Sequence, residues 1–277
     1  MKTKKLVISV ILSFCVVPVS QILSQLIASG CLMIGLPEFI CNIMVGILYI
    51  FGAYGLLKLL CKKYIKEDLS NYNMPRFKID MKWLIVAFAL PVLVSAVYLL
   101  FVDGVYVVSD MGITEKLSVI SLGVFFTGFG AGFVEEMVFR GIMMTAIEKK
   151  FNRKIAIIVP SLLFGAVHII GMNFNLLSCI LVLAAGTMVG IMFSLIAATT
   201  NSVWNSAIVH AVWNMIIIGG GLVIDTEARQ NALCTYVLNN KSFVLTGGEF
   251  GIESSVIAVV GYCVVSLIII HSNKKKI

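Results

Sequence analysis

The stretch LSVISLGVFFTGFGAGFVEEMVFRGIMMTAI, residues 117–147, decides the fold of this chain. It is almost wholly apolar, and as a helix it is long enough to cross a hydrocarbon core of about 30 Å. Similar runs recur along the sequence, since 60% of the 277 residues are hydrophobic and only 13% are charged. Too few charged residues remain to cover the surface of a soluble domain of this length. The sequence therefore predicts a polytopic helical membrane protein.

Eight apolar runs are predicted to span the membrane, which makes the expected fold an all-α, polytopic transmembrane helical bundle. The runs lie at 6–28, 39–61, 83–102, 117–147, 154–172, 176–197, 202–224 and 252–271. The first run continues past Pro18 without a clear small-x-small cleavage site, so we interpret it as a retained helix and not as a signal peptide. We divide the chain into N-terminal membrane helices at 1–116, a helical core at 117–218, and a C-terminal part at 219–277. This last part holds the end of span seven, an extracytoplasmic loop and the last helix.

The net charge of +7 is explained by membrane orientation. Most of the 21 lysines and arginines fall in segments that an even number of spans places on one side of the membrane, namely 2–5, 58–82, 149–154 and 274–276. By the positive-inside rule, both termini are expected in the cytoplasm. The expected surroundings are the lipid bilayer, and nucleic-acid binding is not predicted.

Several strongly polar side chains lie inside spans four to seven. A charged side chain at the bilayer centre costs about 2.5–3.5 kcal/mol on insertion scales, so each one needs a reason. The groups concerned are Glu135, Glu136, Arg140, His168, His210 and Asn214. Single groups of this kind often hold helices together. Because these six fall in three short motifs on three spans, we predict that they form one functional site.

Helix geometry separates the two adjacent glutamates. Glu136 and Arg140 are four residues apart, which places them on the same helix face and predicts an ion pair. Glu135 points about 100° away from Glu136 and has no local partner. Glu136 is therefore expected to be structural, whereas Glu135 is a candidate general base.

The other polar groups can reach the same region. Glu135 and His168 are about equally far from the turn near 148–154, so an antiparallel helical hairpin would place them at similar depth. His210 and Asn214 are four residues apart and share a face of span seven. Two hydrogen-bond donors on one face can point at the same oxygen atom.

These groups could add water to an amide carbonyl. Glu135 would take a proton from water, with His168 orienting the water or sharing the proton. His210 and Asn214 would stabilise the oxyanion, a contribution of about 3–4 kcal/mol for each donor. Zinc held by Glu135, His168 and His210 is an alternative, but the H-E-x-x-H pattern of soluble zinc proteases is missing. We therefore favour a mechanism without metal or other cofactor.

Three motifs carry a family resemblance. EEMVFRG at 135–141, FGAVH at 164–168 and HAVWN at 210–214 resemble, in this order, E-E-x-x-x-R, F-x-x-x-H and H-x-x-x-N. These are the motifs of the CPBP family of intramembrane proteases, also called the CAAX-protease, bacteriocin-processing or Abi family. The resemblance covers roughly residues 117–218. It implies a membrane helix bundle whose catalytic groups are buried yet reachable from the cytosolic side.

The resemblance also implies a role for each motif residue. Glu135 corresponds to the catalytic glutamate and His168 to its histidine partner, while His210 and Asn214 correspond to the oxyanion donors. Glu136 and Arg140 match supporting residues. The family is often labelled metalloprotease, although we favour water activated by glutamate alone.

The expected function is that of an intramembrane endopeptidase acting on a membrane-associated protein or peptide. Eukaryotic relatives trim three residues from prenylated CAAX proteins, and many bacterial members serve in bacteriocin immunity or processing. The compact chain favours a bacterial-type enzyme of the plasma membrane. A non-catalytic bacteriocin self-immunity or scaffold protein is the main alternative. A transporter is less favoured, because no inverted repeat is evident.

Overall fold

The computed structural model describes residues 2–172 and 175–273. The basic residues 274–276, which contribute to the predicted orientation, lie outside the described residues. The described chain is mostly helical, and its helices form a membrane bundle. The predicted fold class is therefore confirmed, while the division into three parts stays a prediction.

Each predicted span contains one helix. The helices are α1 (Thr3–Met33), α2 (Glu38–Ile65), α3 (Met81–Phe101), α4 (Ile113–Glu148), α5 (Arg153–Val167), α6 (Leu176–Thr200), α7 (Val203–Ile217) and α8 (Val256–Ser272). Among the described residues, five helices are long and apolar enough to cross a membrane, namely α1 to α4 and α6. The apolar helices α7 and α8 are shorter. The count of eight spans therefore stays a prediction.

Three predicted spans were too long. The helix in the predicted span 154–172 ends at Val167, and the helix in the predicted span 202–224 ends at Ile217. The run 252–271 begins its helix only at Val256. Side-chain caps fix several helix starts: Asn152 and Ser202 accept backbone N–H bonds at the starts of α5 and α7, and Ser255 does so at α8. Such caps satisfy the first N–H groups of a helix, which have no partner within it.

A small sheet was not predicted. Its strands are β1 (Gly104–Val108), β2 (Leu222–Asp225) and β3 (Cys234–Leu238), arranged in the order β1-β3-β2. β1 pairs antiparallel with β3, and β2 pairs parallel with it. A helical turn at Phe243–Thr246 and short 3-10 turns then lead into α8. The segment after α7 is therefore an ordered cover over one end of the bundle.

The opposite end of the bundle carries the basic residues. Lys5 Nζ donates to the carbonyl of Ile65, at the end of α2, over 2.7 Å. Lys150, just after α4, donates to Thr3 at the start of α1. These bonds hold the first turn of α1 and the last turns of α2 and α4 together, at the end of the bundle away from the sheet.

Helix α4 is not a regular α-helix. Its segments Leu122–Ala131 and Met137–Met143 are π-helical, and the α-helical turn Gly132–Glu136 lies between them. A π-helix closes its hydrogen bonds over five residues, which changes the direction in which the following side chains point, and it is frequent at functional sites. The two adjacent glutamates lie in the regular turn between these segments.

Glycines allow the helices around the two glutamates to approach closely. A Cβ atom on Gly132 of α4 would lie 2.7 Å from the backbone nitrogen of Ala211 in α7. A Cβ atom on Gly186 of α6 would lie 2.6 Å from the Cα atom of Gly165 in α5. Both distances are shorter than carbon contacts allow, so any larger residue would push the helices apart.

We expect Gly186→Ala to destabilise the protein by about 1–3 kcal/mol, because the added methyl group overpacks the contact with Gly165. The measurement is thermal unfolding in detergent. Gly55→Ala is the matched control, since Gly55 lies in α2 and a Cβ atom there would meet nothing within 4 Å. Equal unfolding temperatures for the two variants would contradict this account of the α5–α6 contact.

Candidate active site

Glu136 and Arg140 form a fully buried ion pair within α4. Arg140 Nη1 lies 2.7 Å from Glu136 Oε1, and both side chains have 0% exposure. This is the pair expected from their spacing. Within the described part of the chain, the second carboxylate oxygen of Glu136 has no hydrogen-bond partner. Glu136 Oε1 therefore makes the contacts that hold this carboxylate.

The guanidinium of Arg140 also binds α6. Its Nη2 donates to the carbonyl of Gly190 over 3.0 Å, and its Nε donates to Ser194 Oγ over 3.4 Å. The ring of Phe164 lies 4.5 Å from the guanidinium carbon, within the range of a cation–π contact. One arginine thus fixes α4 against α5 and α6.

His210 of α7 lies between the two glutamates. Its Nδ1 is 3.2 Å from Glu136 Oε1, and its Nε2 is 3.8 Å from Glu135 Oε2. Because the carboxylate of Glu136 is the acceptor in its ion pair, Nδ1 carries the hydrogen in this contact. We expected His168 to be the imidazole beside Glu135. Among the described residues, the ion-pair contact of Glu135 is made by His210 instead.

His168 is the first residue after α5, not a mid-helix residue. Its Nδ1 donates to the carbonyl of Phe164 over 2.6 Å, which leaves Nε2 as an acceptor in the neutral ring. Its ring also packs edge to face against Phe250, with centroids 5.6 Å apart. His168 is half-buried, so it can face both the protein and a cavity.

Asn214 is held by the irregular part of α4. Its Nδ2 donates to the carbonyl of Thr127 over 3.0 Å. Thr127 lies in the first π-helical segment of α4. The amide has two N–H groups, so this bond fixes its orientation and leaves one donor for another acceptor.

One cavity of about 170 Å³ brings the predicted catalytic residues together. Its wall includes Glu135, His168, His210 and Asn214, from α4, the end of α5, and α7. The predicted supporting residues Glu136 and Arg140 lie behind His210. The cavity lies at the C-terminal ends of α5 and α7, on the side of the sheet and away from the basic end of the bundle. With the predicted orientation, this is not the cytosolic side from which the resemblance implies access.

Among the other residues that line this cavity, Trp213, Phe250 and Glu253 were not predicted as site residues. Glu253 and Phe250 come from the turns before α8, and Trp213 comes from α7. Trp213 Nε1 donates to Glu253 Oε1 over 3.1 Å. A signal was present, because Glu253 is a carboxylate inside the predicted span 252–271.

The arrangement does not fit the zinc alternative. Within residues 2–172 and 175–273, no group of three or more His, Cys, Asp or Glu side chains is placed to hold a metal ion. The Nδ1 contacts of His168 and His210 with protein oxygens are ones that a zinc-bound histidine also makes, so only the grouping of the side chains speaks against zinc with Glu135, His168 and His210 as ligands. No step is therefore derived through a metal.

Fold and site together define a class of protein: a helical membrane protein with carboxylates and imidazoles around one internal cavity. Residues 117–216 match the family model of Rce1-like type II CAAX prenyl endopeptidases. This match confirms the resemblance to the CPBP family, and the family implies a membrane protease. No curated protein and no solved structure matches the chain.

Arg140→Leu should cost about 3–5 kcal/mol of unfolding free energy, because it leaves the Glu136 carboxylate buried without its partner. Adding Glu136→Gln to the same chain should recover part of this loss. Arg229→Leu is the control, since Arg229 also pairs with a carboxylate, that of Asp225, but is 53% exposed. Such an exposed pair is worth about 0–1 kcal/mol. Denaturant unfolding in detergent measures all three, and a similar loss for Arg140→Leu and Arg229→Leu would contradict the expectation.

Proposed function

We propose that the protein is an intramembrane endopeptidase that hydrolyses a peptide bond of a membrane-associated protein or peptide. The observation that supports this function is the shared cavity of Glu135, His168, His210 and Asn214. The match of residues 117–216 to an endopeptidase family supports the same conclusion. The reaction needs a base, a bound water molecule and donors for an oxyanion, and the cavity contains side chains suited to each role.

Glu135 is proposed to be the base that removes a proton from water. Its side chain is 21% exposed, whereas that of Glu136 is completely buried and paired with Arg140. Glu135 can therefore meet water, and Glu136 cannot. The Nε2 atom of His168, which is an acceptor in the neutral ring, can accept a hydrogen bond from the same water molecule and orient it towards a carbonyl carbon.

The oxyanion is proposed to be stabilised by Asn214 and His210. Asn214 keeps one amide N–H after its bond to Thr127. His210 gives its Nδ1–H to Glu136, so it presents an N–H from Nε2 only when the ring is a cation. Glu136 and Arg140 act through His210 in this proposal, since they fix the position and tautomer of its ring.

The proposal places the enzyme in a bacterial plasma membrane, with both termini in the cytoplasm and without metal or other cofactor. The main rival remains a non-catalytic bacteriocin self-immunity or scaffold protein. A scaffold needs no side chain able to activate water, whereas an endopeptidase loses its function with that one side chain. A single nearly isosteric substitution therefore separates the two.

Glu135→Gln should abolish cleavage while the protein remains folded, because the amide has the shape of the carboxylate but cannot accept the proton. The measurement compares membrane peptides from cells that carry the wild type with peptides from cells that carry the variant. A fragment present only with the wild type is expected. Glu227→Gln, an exposed glutamate of the loop after β2, is the control and should leave the fragment in place. Identical peptides, or immunity that survives Glu135→Gln, would favour the scaffold.

Chelators should leave the activity unchanged. Purified protein is treated with a strong zinc chelator, and cleavage of the fragment's precursor peptide is measured before and after the treatment. A rate within about twofold of the untreated rate is expected, because no step of the proposed reaction uses a metal. Loss of activity that added zinc restores would contradict the metal-free mechanism.

A further inference from the structure

Glu253 is the second carboxylate that lines the cavity, beside Glu135. It lies in the turn Ile252–Ser254 just before α8, outside the residues that match the family model. It lines the same cavity as Glu135 and the two histidines. The charges of His168, His210 and Glu135 act on its carboxyl group.

The position of Glu253 is fixed from both sides. Trp213 Nε1 donates to its Oε1 over 3.1 Å, and the hydroxyl of Tyr262 donates to its backbone carbonyl over 3.1 Å. The rings of Trp213 and Tyr262 pack against each other with centroids 5.1 Å apart. Loops are usually the mobile part of a fold. These contacts therefore hold Glu253 in place where a loop residue would otherwise move.

The proposed hydrolysis also needs a group that donates a proton to the leaving nitrogen. An amine is a poor leaving group as an anion, so the C–N bond of the tetrahedral intermediate breaks only when its nitrogen receives a proton. Glu135 holds the proton that it has taken from water and could pass it on, so it is the alternative donor to be tested. Asn214 has no acidic proton to give, and the Nε2–H of a His210 cation is already assigned to the oxyanion.

We propose that Glu253 is the general acid that protonates the leaving nitrogen. This inference rests on the proposed endopeptidase function. Burial raises the pKa of the Glu253 carboxyl, while the indole of Trp213 and the two histidines act in the opposite sense. The titratable groups that face it are His168, His210 and Glu135, with Tyr262 on α8. Raising the pKa favours the protonated form that a general acid needs.

The step balances with these two carboxyl groups. Water adds to the carbonyl carbon through its oxygen, and its proton passes to Glu135. The C–N bond then breaks, its electron pair stays on nitrogen, and the Glu253 proton forms the new N–H bond. The products are a carboxylic acid and an amine. Glu135 is now protonated and Glu253 ionised, and transfer of one proton between them through water in the cavity restores the starting state.

Glu253→Gln tests the assignment, because glutamine keeps an oxygen acceptor for Trp213 Nε1 but has no acidic proton. The probe is the peptide identified by comparing wild type and Glu135→Gln, synthesised once with its normal amide and once with a thioester at the cleaved bond. A thiolate leaves without prior protonation. We expect kcat/KM for the amide to fall by about 100-fold or more, while the value for the thioester changes by less than about threefold. Glu249→Gln, an exposed glutamate of the same loop that does not line the cavity, should cleave both probes like the wild type.

The outcomes distinguish this inference from the proposed function. Wild-type amide cleavage that survives Glu253→Gln would overturn the assignment of Glu253 and leave the endopeptidase intact. An equal loss with amide and thioester would also overturn it, since Glu253 would then be structural. If the wild type cleaves neither probe, the endopeptidase function fails, and the role of Glu253 fails with it.

Discussion

The buried ion pair of Glu136 and Arg140 is the interaction on which the rest of the site depends. The carboxylate reaches α7 through His210, and the guanidinium reaches α6 through Gly190 and Ser194. Such a pair adds little net stability, because the loss of hydration offsets the attraction. Its effect is to fix which groups meet. Apolar contacts alone would let three helices shift along one another at a small cost in free energy. The buried charges prevent this shift, because it would separate them from their partners.

Much of this arrangement could be predicted from local spacing. Two charges four residues apart on a helix meet whatever surrounds them, so the pair of Glu136 and Arg140 followed from the sequence. The lengths of the apolar runs predicted the helices, although three ends were misplaced. A helix can stop inside an apolar run when the chain finds other hydrogen-bond partners, as it does where the strand β2 follows α7 and pairs with β3.

Other features depend on contacts between distant parts of the chain. The position of His210 between Glu135 and Glu136 requires the close approach of α4 and α7. The π-helical segments of α4 also make its side chains point in directions that differ from those of an ideal α-helix. β1 and β3 are short strands more than a hundred residues apart, so neither indicates the sheet alone. In the sequence, Glu253 resembles any polar residue at the edge of a span. Only the fold shows that the turn before α8 lies at the cavity.

The size of the cavity limits the form in which a chain can be bound. An α-helix with its side chains is about 10–12 Å across, so a cavity of about 170 Å³ favours a narrower, extended segment. Within a bilayer, however, a helix is the form that satisfies the backbone of a single segment. Under the proposed function, a substrate segment is therefore expected to unwind locally, and its freed amides then need new partners among the polar side chains. Segments interrupted by proline or glycine meet that requirement at the lowest cost.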